Sequence, residues 1–377
     1  MMIRKGLEDV VAGTTELSLV DGVEGRLLYR GFDIHDLAEH ATFEEVVYLL
    51  WHGDLPAQEQ LDDLREQLAS SRALPQEVLA MMEGFPETAG PMDALRTAVS
   101  AIGLYDPEVD DNSQEANLRK ATRLTARMAT IVASYDRIRN GKEPIPPDPA
   151  MNHAANFLYM LKGTVPDELS ARAFDVCLIL HADHEFNAST FSARVTASTL
   201  SDMYSAITSA IATLKGPLHG GANTKVMEML LEIGTPERVE PYIMKALSEK
   251  RRVMGFGHRV YKGEDPRAKH LKRMSRELGE KVGELKWYEI SRRIEGLLLK
   301  EKNLYPNVDF YAASVYYSLG IPIDLYTAIF AVSRISGWTA QVLEQYADNR
   351  LIRPRAEYVG PRRRPFIPLQ ARRVKGA

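Results

Sequence analysis

Three short segments carry side chains able to do acid–base chemistry, each where Gly or Pro interrupts helical sequence. They are Gly216-Pro217-Leu218-His219-Gly220-Gly221-Ala222-Asn223, Gly255-Phe256-Gly257-His258-Arg259 and Pro306-Asn307-Val308-Asp309. Two imidazoles and one carboxylate suffice to polarise a carbonyl, remove a carbon-bound proton and give a proton to a second carbonyl. That is the minimum equipment for joining two carbon atoms through an enol.

Each residue also has a plainer reading. Pro217 stops the helix before it, and Gly220-Gly221 permits a sharp turn. His219 is therefore expected on a tight loop beside the N-terminus of a helix starting near Ala222, which disfavours the imidazolium. A neutral imidazole that donates a hydrogen bond is what polarising a thioester carbonyl requires, but a loop histidine bonded to backbone fits the same pattern. His258 shares its loop with Gly255 and Gly257, which let amides approach a ligand, and with Arg259, Lys262 and Arg267. Such a loop suits a phosphate-bearing group and a carboxylate, or an ordinary charged connection. Asp309 begins a helix, where an acid complements the dipole. To act as a base it needs desolvation, which Val308 and Phe310 permit.

In His181-Ala182-Asp183-His184, the spacing from Ala173, Cys177 and Leu180 places His184 on an inward helical face. His181 and His184 leave a metal, a structural and a substrate-binding reading open, with no complete zinc signature of the H-E-x-x-H kind. Arg334 lies in a mainly apolar helix and needs an anionic partner. Arg267, Arg334 and Arg353 are candidates to clamp a dicarboxylate bidentately, the alternative being ion pairs within the protein.

The elements that must position these groups are nearly all helical. Leu17–Val20 and Arg26–Tyr29 read as strands of small hairpins. Beyond Arg30 the apolar spacing is helical, from Phe43–Trp51 through about Gln58–Ser70, Pro91–Ile102, Leu118–Asn140, Met151–Met160, Ser170–Ala182, Ser189–Leu214 and Ala222–Ile233. It continues through about Glu237–Lys250, Pro266–Leu278, Leu285–Asn303, Val308–Leu319 and Ile323–Asp348. The expected class is all-α with minor N-terminal β-hairpins. The turns at Gly220-Gly221 and Gly320-Ile321-Pro322 bracket about one hundred residues, an ordinary domain size. From Arg350 onward, eight Arg and one Lys face one Glu, with several Pro; this tail is expected to be extended.

The balance of 47 Lys+Arg against 51 Asp+Glu, net −4, gives no whole-protein attraction to nucleic acid or membrane. Anionic substrates must be held by local arginine clusters. The one cysteine, Cys177, excludes an intramolecular disulfide and sits in an apolar run. No apolar signal core follows Met1 and no stretch is long enough to cross a bilayer, so a cytoplasmic protein is expected.

The blocks Gly216–Asn223, Met254–Arg267, His181–Arg194 and Asn307–Tyr317, with Asp21–Gly31 and Arg350–Arg355, resemble the signature regions of citrate synthases, in family order and over essentially the whole chain. The resemblance implies a large helical domain (1–221 and 322–377) and a smaller one (222–321) that close over the substrates. It implies condensation of oxaloacetate with acetyl-CoA and water to give citrate and CoA, with no cofactor and no metal. Asp309 would remove the methyl proton, His219 would bond the thioester oxygen, and His258 would protonate the ketone. His184, Arg267 and Arg334 would hold oxaloacetate, with Arg353 reaching it from the partner of a homodimer and Arg72 as a further match. Arg252, Val253, Met254, Gly255, Phe256, Arg259 and Lys262 would contact CoA.

The sequence departs from the family in two places. It lacks the N-terminal extension of the NADH-regulated hexameric branch, so a dimer without that control is expected. Gln341 stands where relatives often carry His, two helical turns from Arg334, and is expected to tune that region slightly. Two rival readings stand beside this one: 2-methylcitrate synthase, using propionyl-CoA with the same catalytic set, and a non-catalytic helical protein whose basic tail binds polyanions.

Overall fold

The computed structural model describes residues 5–8 and 10–372. The reading of Met1–Arg4 and the last five residues of the tail therefore lie outside the described residues. Near the N-terminus, β1 (Ser18–Asp21), β2 (Arg26–Tyr29) and β3 (Phe32–Asp33) form one antiparallel meander, with Leu19 opposite Leu28 and Tyr29 opposite Phe32. The expected hairpins are thus one three-stranded sheet. Sixteen α-helices make up most of the rest of the described chain. The first eight are α1 (Ile34–His40), α2 (Phe43–His52), α3 (Gln58–Ser70), α4 (Gln76–Glu83), α5 (Pro91–Gly103), α6 (Gln114–Arg139), α7 (His153–Lys162) and α8 (Glu168–His181). Then come α9 (Ala188–Ala197), α10 (Met203–Leu214), α11 (Ala222–Ile233), α12 (Val239–Ser248), α13 (Ala268–Val282), α14 (Lys286–Lys302), α15 (Val308–Ser318) and α16 (Tyr326–Ala347). The fold is all-α, as expected.

Side-chain caps set many of the starts. Thr42 and Glu45 form a capping box on α2, and Ser113, Asn152, Asp167, Asn187 and Asp202 each accept from a first-turn amide. Asp202 also explains a difference from the sequence reading. Apolar spacing runs through Ser189–Leu214 without a gap, yet the chain leaves the helix at Leu200 (φ 63°) and restarts behind Asp202. Helices α9 and α10 then pack against each other. Helix α8 ends at His181, so His184 lies on a loop and not on a helical face. Helices α1 and α4 went unread because seven or eight residues show too few turns of periodicity.

Helix α16 is the axis of the molecule, packed against α2, α6, α8, α9 and α10. In residues 222–321, α11 and α13 lie on α15, and α12 on α14. One contiguous apolar cluster runs through both parts. The extended tail from Leu351 to Pro368 carries no helix or strand, and Leu369–Ala371 makes a single 3-10 turn. No helix among the described residues is long and apolar enough to cross a membrane.

Gly337 lets α16 pass directly over the loop that carries His184. A Cβ there would meet the Ala182 carbonyl oxygen at 2.2 Å and Asp183 Oδ1 at 2.6 Å. Gly337→Ala is expected to cost about 1–3 kcal/mol through this overpacking, read as a lower midpoint in urea unfolding. An unchanged midpoint would show that the loop yields freely.

Candidate active site

The second and third chemical segments are joined by backbone. The Asn307 N–H donates to the Gly255 carbonyl (2.9 Å), the Gly257 N–H to the Tyr305 carbonyl (3.1 Å), and Asn307 Nδ2 to the Gly257 carbonyl (3.0 Å). Gly255 has φ 79°, and a Cβ there would lie 2.8 Å from Phe310 and Val226. This glycine allows close packing, and the Gly257 amide is committed to Tyr305. The pairing sets the His258 loop beside the start of α15, which carries Asp309.

Asp265 fixes the same junction with its side chain. Its carboxylate, 1% exposed, accepts from Arg267 Nε (2.9 Å), Arg267 Nη2 (2.8 Å), the Arg267 N–H (3.1 Å) and the Val308 N–H (3.1 Å). Burial pushes the Asp265 carboxyl up, but the Arg267 guanidinium and its hydrogen bonds outweigh that and hold it below the ordinary value. Among the described residues Arg267 Nη1 has no hydrogen-bond partner.

Both candidate histidines have one ring nitrogen pinned as an acceptor. His258 Nδ1 receives the Val260 and Tyr261 N–H groups, each at 3.1 Å. The proton of the neutral ring therefore sits on Nε2. His219 Nε2 receives the Ser189 N–H (3.3 Å) and lies 2.8 Å from Ser189 Oγ. A backbone N–H can only donate, so the proton of the neutral His219 ring sits on Nδ1. Ser189 Oγ is in turn fixed by Trp338 Nε1 (3.2 Å). Burial and then the Arg334 charge push His219 down to about 4; burial and then Arg267 push His258 down to about 4 against the pull of Asp265. His219 lies just before α11, which starts at Ala222 as expected, and its ring also receives a first-turn amide of α9, that of Ser189.

The Asp309 carboxylate has no hydrogen-bond donor among the described residues; only its N–H is bound, to Asn307 Oδ1 (3.1 Å). Burial raises its pKa to about 6, with Asp265 adding to the rise and Arg267 and Arg334 opposing it. Arg334, 2% exposed, donates Nε to the His181 carbonyl (2.6 Å), and among the described residues no carboxylate pairs with it. Burial brings it down to about 10. The His184 ring stands edge-on to His258, centroids 5.2 Å apart, with Nε2 unpartnered. Burial, then Arg267, His258 and Arg334, hold His184 far below its ordinary pKa. His219, His184 and Asp309 all feel Arg334, and His258, His184 and Asp309 all feel Arg267. The sequence segments thus converge on one pair of arginines.

Not every candidate belongs to this cluster. Arg72 is buried elsewhere, donating to the Asp148 (2.7 Å) and Met151 (2.9 Å) carbonyls and so tying down the Pro-rich loop. Arg353 is exposed on the extended tail, without an ion pair among the described residues. Arg252, Arg259 and Lys262 are exposed and form no ion pair among the described residues, beside the buried Val253, Gly255 and Phe256 and the half-buried Met254. His181 turns away from His184, bonding the Cys177 carbonyl through Nδ1 (2.7 Å). Gln341 links Asp183 Oδ2 (3.2 Å) to Arg194 (2.8 Å) beneath the His184 loop.

Sequence reasoning did not single out Ser189 or Asp265. The signal for Ser189 was Asn187-Ala188-Ser189, a helix start two residues past an Asn cap. The signal for Asp265 was an acid two residues from an arginine that needs a partner.

The family profile described as "Citrate synthase, C-terminal domain" matches residues 6–355. The chain belongs to the citrate synthase family. It is 56% identical over 373 residues to citrate synthase 2 of Bacillus subtilis, covering 99% of this chain and 100% of that one. It is 54% identical to the citrate synthase of Haloferax volcanii, covering 98% and 99%. The citrate/2-methylcitrate synthase of Bacillus subtilis is 46% identical, covering 95% and 96%. The crystal structure of the Pyrobaculum aerophilum citrate synthase superposes with a TM-score of 0.92 at 44% identity, covering 98% and 95%. The Thermoplasma acidophilum citrate synthase, in ternary complex with carboxymethyl coenzyme A and oxaloacetate, superposes with a TM-score of 0.93 at 37% identity, covering 98% and 100%.

Asp265→Asn leaves Arg267 buried without its counter-charge. Breaking such a pair is expected to cost about 3–5 kcal/mol, read in urea unfolding. A cost below about 1 kcal/mol would mean the junction rests on the backbone pairing alone.

Proposed function

We propose that this chain condenses acetyl-CoA with oxaloacetate and water, giving citrate and free CoA. The observation that carries the reading is a pair of neutral imidazole donors, His219 Nδ1–H and His258 Nε2–H, in the same arginine field as the unpaired carboxylate of Asp309. Asp309 removes a methyl proton from acetyl-CoA while His219 bonds the thioester oxygen, so charge develops toward a fixed donor as the enol forms. The enol carbon attacks the ketone carbon of oxaloacetate, and His258 gives its Nε2 proton to the ketone oxygen. Water then cleaves the citryl thioester, releasing CoA and citrate.

The dicarboxylate fits the polar groups left with unused capacity. Arg334 has no carboxylate of its own, Arg267 offers Nη1, and His184 offers Nε2. Arg252, Arg259 and Lys262 suit the phosphates of CoA, held beside residues 253–256. Residues 222–321 carry His258, Arg267 and Asp309, while the rest of the chain carries His184, His219 and Arg334. Catalysis is then completed when the two parts, a large and a small helical domain, close on the substrates. The tail of each chain places Arg353 at the cleft of a partner in a homodimer, which accounts for its exposure here.

Asp309 must be ionised to act. The rate at fixed saturation is expected to fall as pH drops through about 6, the histidines protonating only near 4. An acid limb at the ordinary carboxylate value would contradict the buried base. Its folded pKa lies above the unfolded value, so the cost of the ionised form is absent below about 4 and full above about 6. Asp309→Asn should therefore lower thiol release by orders of magnitude while Tm at pH 7 holds or rises. Turnover near wild type in that variant would sink the mechanism. Initial rates with acetyl-CoA and propionyl-CoA separate the two activities named among the relatives. One methylene is worth only about 1–3 kcal/mol, and a kcat/KM ratio favouring propionyl-CoA would assign the 2-methylcitrate reaction.

A further inference from the structure

Tyr261 follows His258 by three residues and has no role in the chemistry above. Its side chain is 3% exposed, and its hydroxyl has no hydrogen-bond partner among the described residues. A buried hydroxyl without a partner is costly, so native structures nearly always supply one. A phenylalanine would fill the same space and make the same ring contacts without that cost. Packing therefore explains the ring of Tyr261 but not its oxygen.

The ring is held firmly. The Tyr261 N–H donates to His258 Nδ1 (3.1 Å), and the Tyr261 and His258 rings lie 4.6 Å apart. The His184 ring meets Tyr261 edge-on at 5.7 Å. The phenol is thus locked between the two imidazoles of the keto-acid side of the cleft. His184 Nε2 is likewise buried and unpartnered. The phenol also lies within the field of Arg267, whose Nη1 is uncommitted. Two neighbouring groups with unused donors, the phenol and the Arg267 guanidinium, call for one acceptor-rich ligand. Burial raises the phenol well above its ordinary pKa, so it stays a donor throughout the working range.

We infer that Tyr261 is a further substrate-binding residue, its hydroxyl donating a hydrogen bond to the carboxylate of the keto acid that Arg267 holds. This rests on the function proposed above. The hydroxyl adds a directional contact that a guanidinium already committed to Asp265 on two of its nitrogens does not supply alone.

Tyr261→Phe in the full chain tests the inference. One hydrogen bond to a charged group corresponds to about tenfold or more in affinity. The KM for oxaloacetate should rise by at least that, with kcat changed by less than about threefold and the KM for acetyl-CoA unchanged. A second readout needs no turnover. Without ligand, the Tm of Tyr261→Phe should equal or exceed that of the wild type, because an orphan hydroxyl is removed. The Tm rise produced by oxaloacetate alone should be smaller than in the wild type. An unchanged KM and an unchanged oxaloacetate shift would overturn the inference. A lowered ligand-free Tm with a normal KM would overturn it too, assigning the oxygen to the fold. A wild type that binds oxaloacetate but releases no thiol would refute the proposed reaction while the thermal shift still decided on Tyr261. A wild type whose Tm oxaloacetate does not move would overturn both.

Discussion

The Asp265 carboxylate accepts three hydrogen bonds from Arg267 and one from the Val308 amide, all inside the protein. That single group decides where two functional elements stand. It aims the Arg267 guanidinium, and it satisfies an amide in the first turn of α15, one residue before Asp309. A carboxylate at a helix start is expected to complement the dipole. Here Asp265, from another segment, takes that part, and Asp309 is released from capping. With its own acceptors unfilled and burial raising its pKa, Asp309 is available as a base.

The same logic governs the histidines. Each has a backbone N–H driven into one nitrogen, which fixes the tautomer and leaves the opposite N–H as the donor. Neutrality follows from burial and from two nearby arginines that repel an imidazolium. The arginines proposed to hold the dicarboxylate therefore also keep the proposed proton donors neutral. This coupling ties substrate binding to catalytic chemistry without any direct bond between the groups.

Much of this was visible in the sequence, for identifiable reasons. Gly and Pro around His219, His258 and Asp309 marked places where the chain leaves regular structure, and the helices behind the Asn152, Asp167, Asn187 and Asn307 caps were placed within two residues at their starts. What was hidden depends on long-range placement. The amide facing His219 comes from Ser189, thirty residues earlier in the chain, and no local pattern announces that approach. Unbroken apolar spacing concealed the turn at Leu200, because both α9 and α10 bury their faces. The loop position of His184 was masked by apolar spacing that continues past the end of α8. Arg72 was matched to the substrate-binding set by resemblance, and only the fold shows its guanidinium bonded to two carbonyls. The close packing of Gly255 against Phe310 and Val226 is likewise a long-range fact that no local pattern announces.

The central claim is that two neutral imidazoles of opposite tautomer serve as the donors. Nitrogen NMR of the protein labelled at its nine histidines, assigned through His219→Gln and His258→Gln, measures this directly. The account predicts that at pH 6.5 both rings are neutral, with His219 protonated on Nδ1 and His258 on Nε2. An imidazolium at either position, or the reversed tautomer, would contradict it.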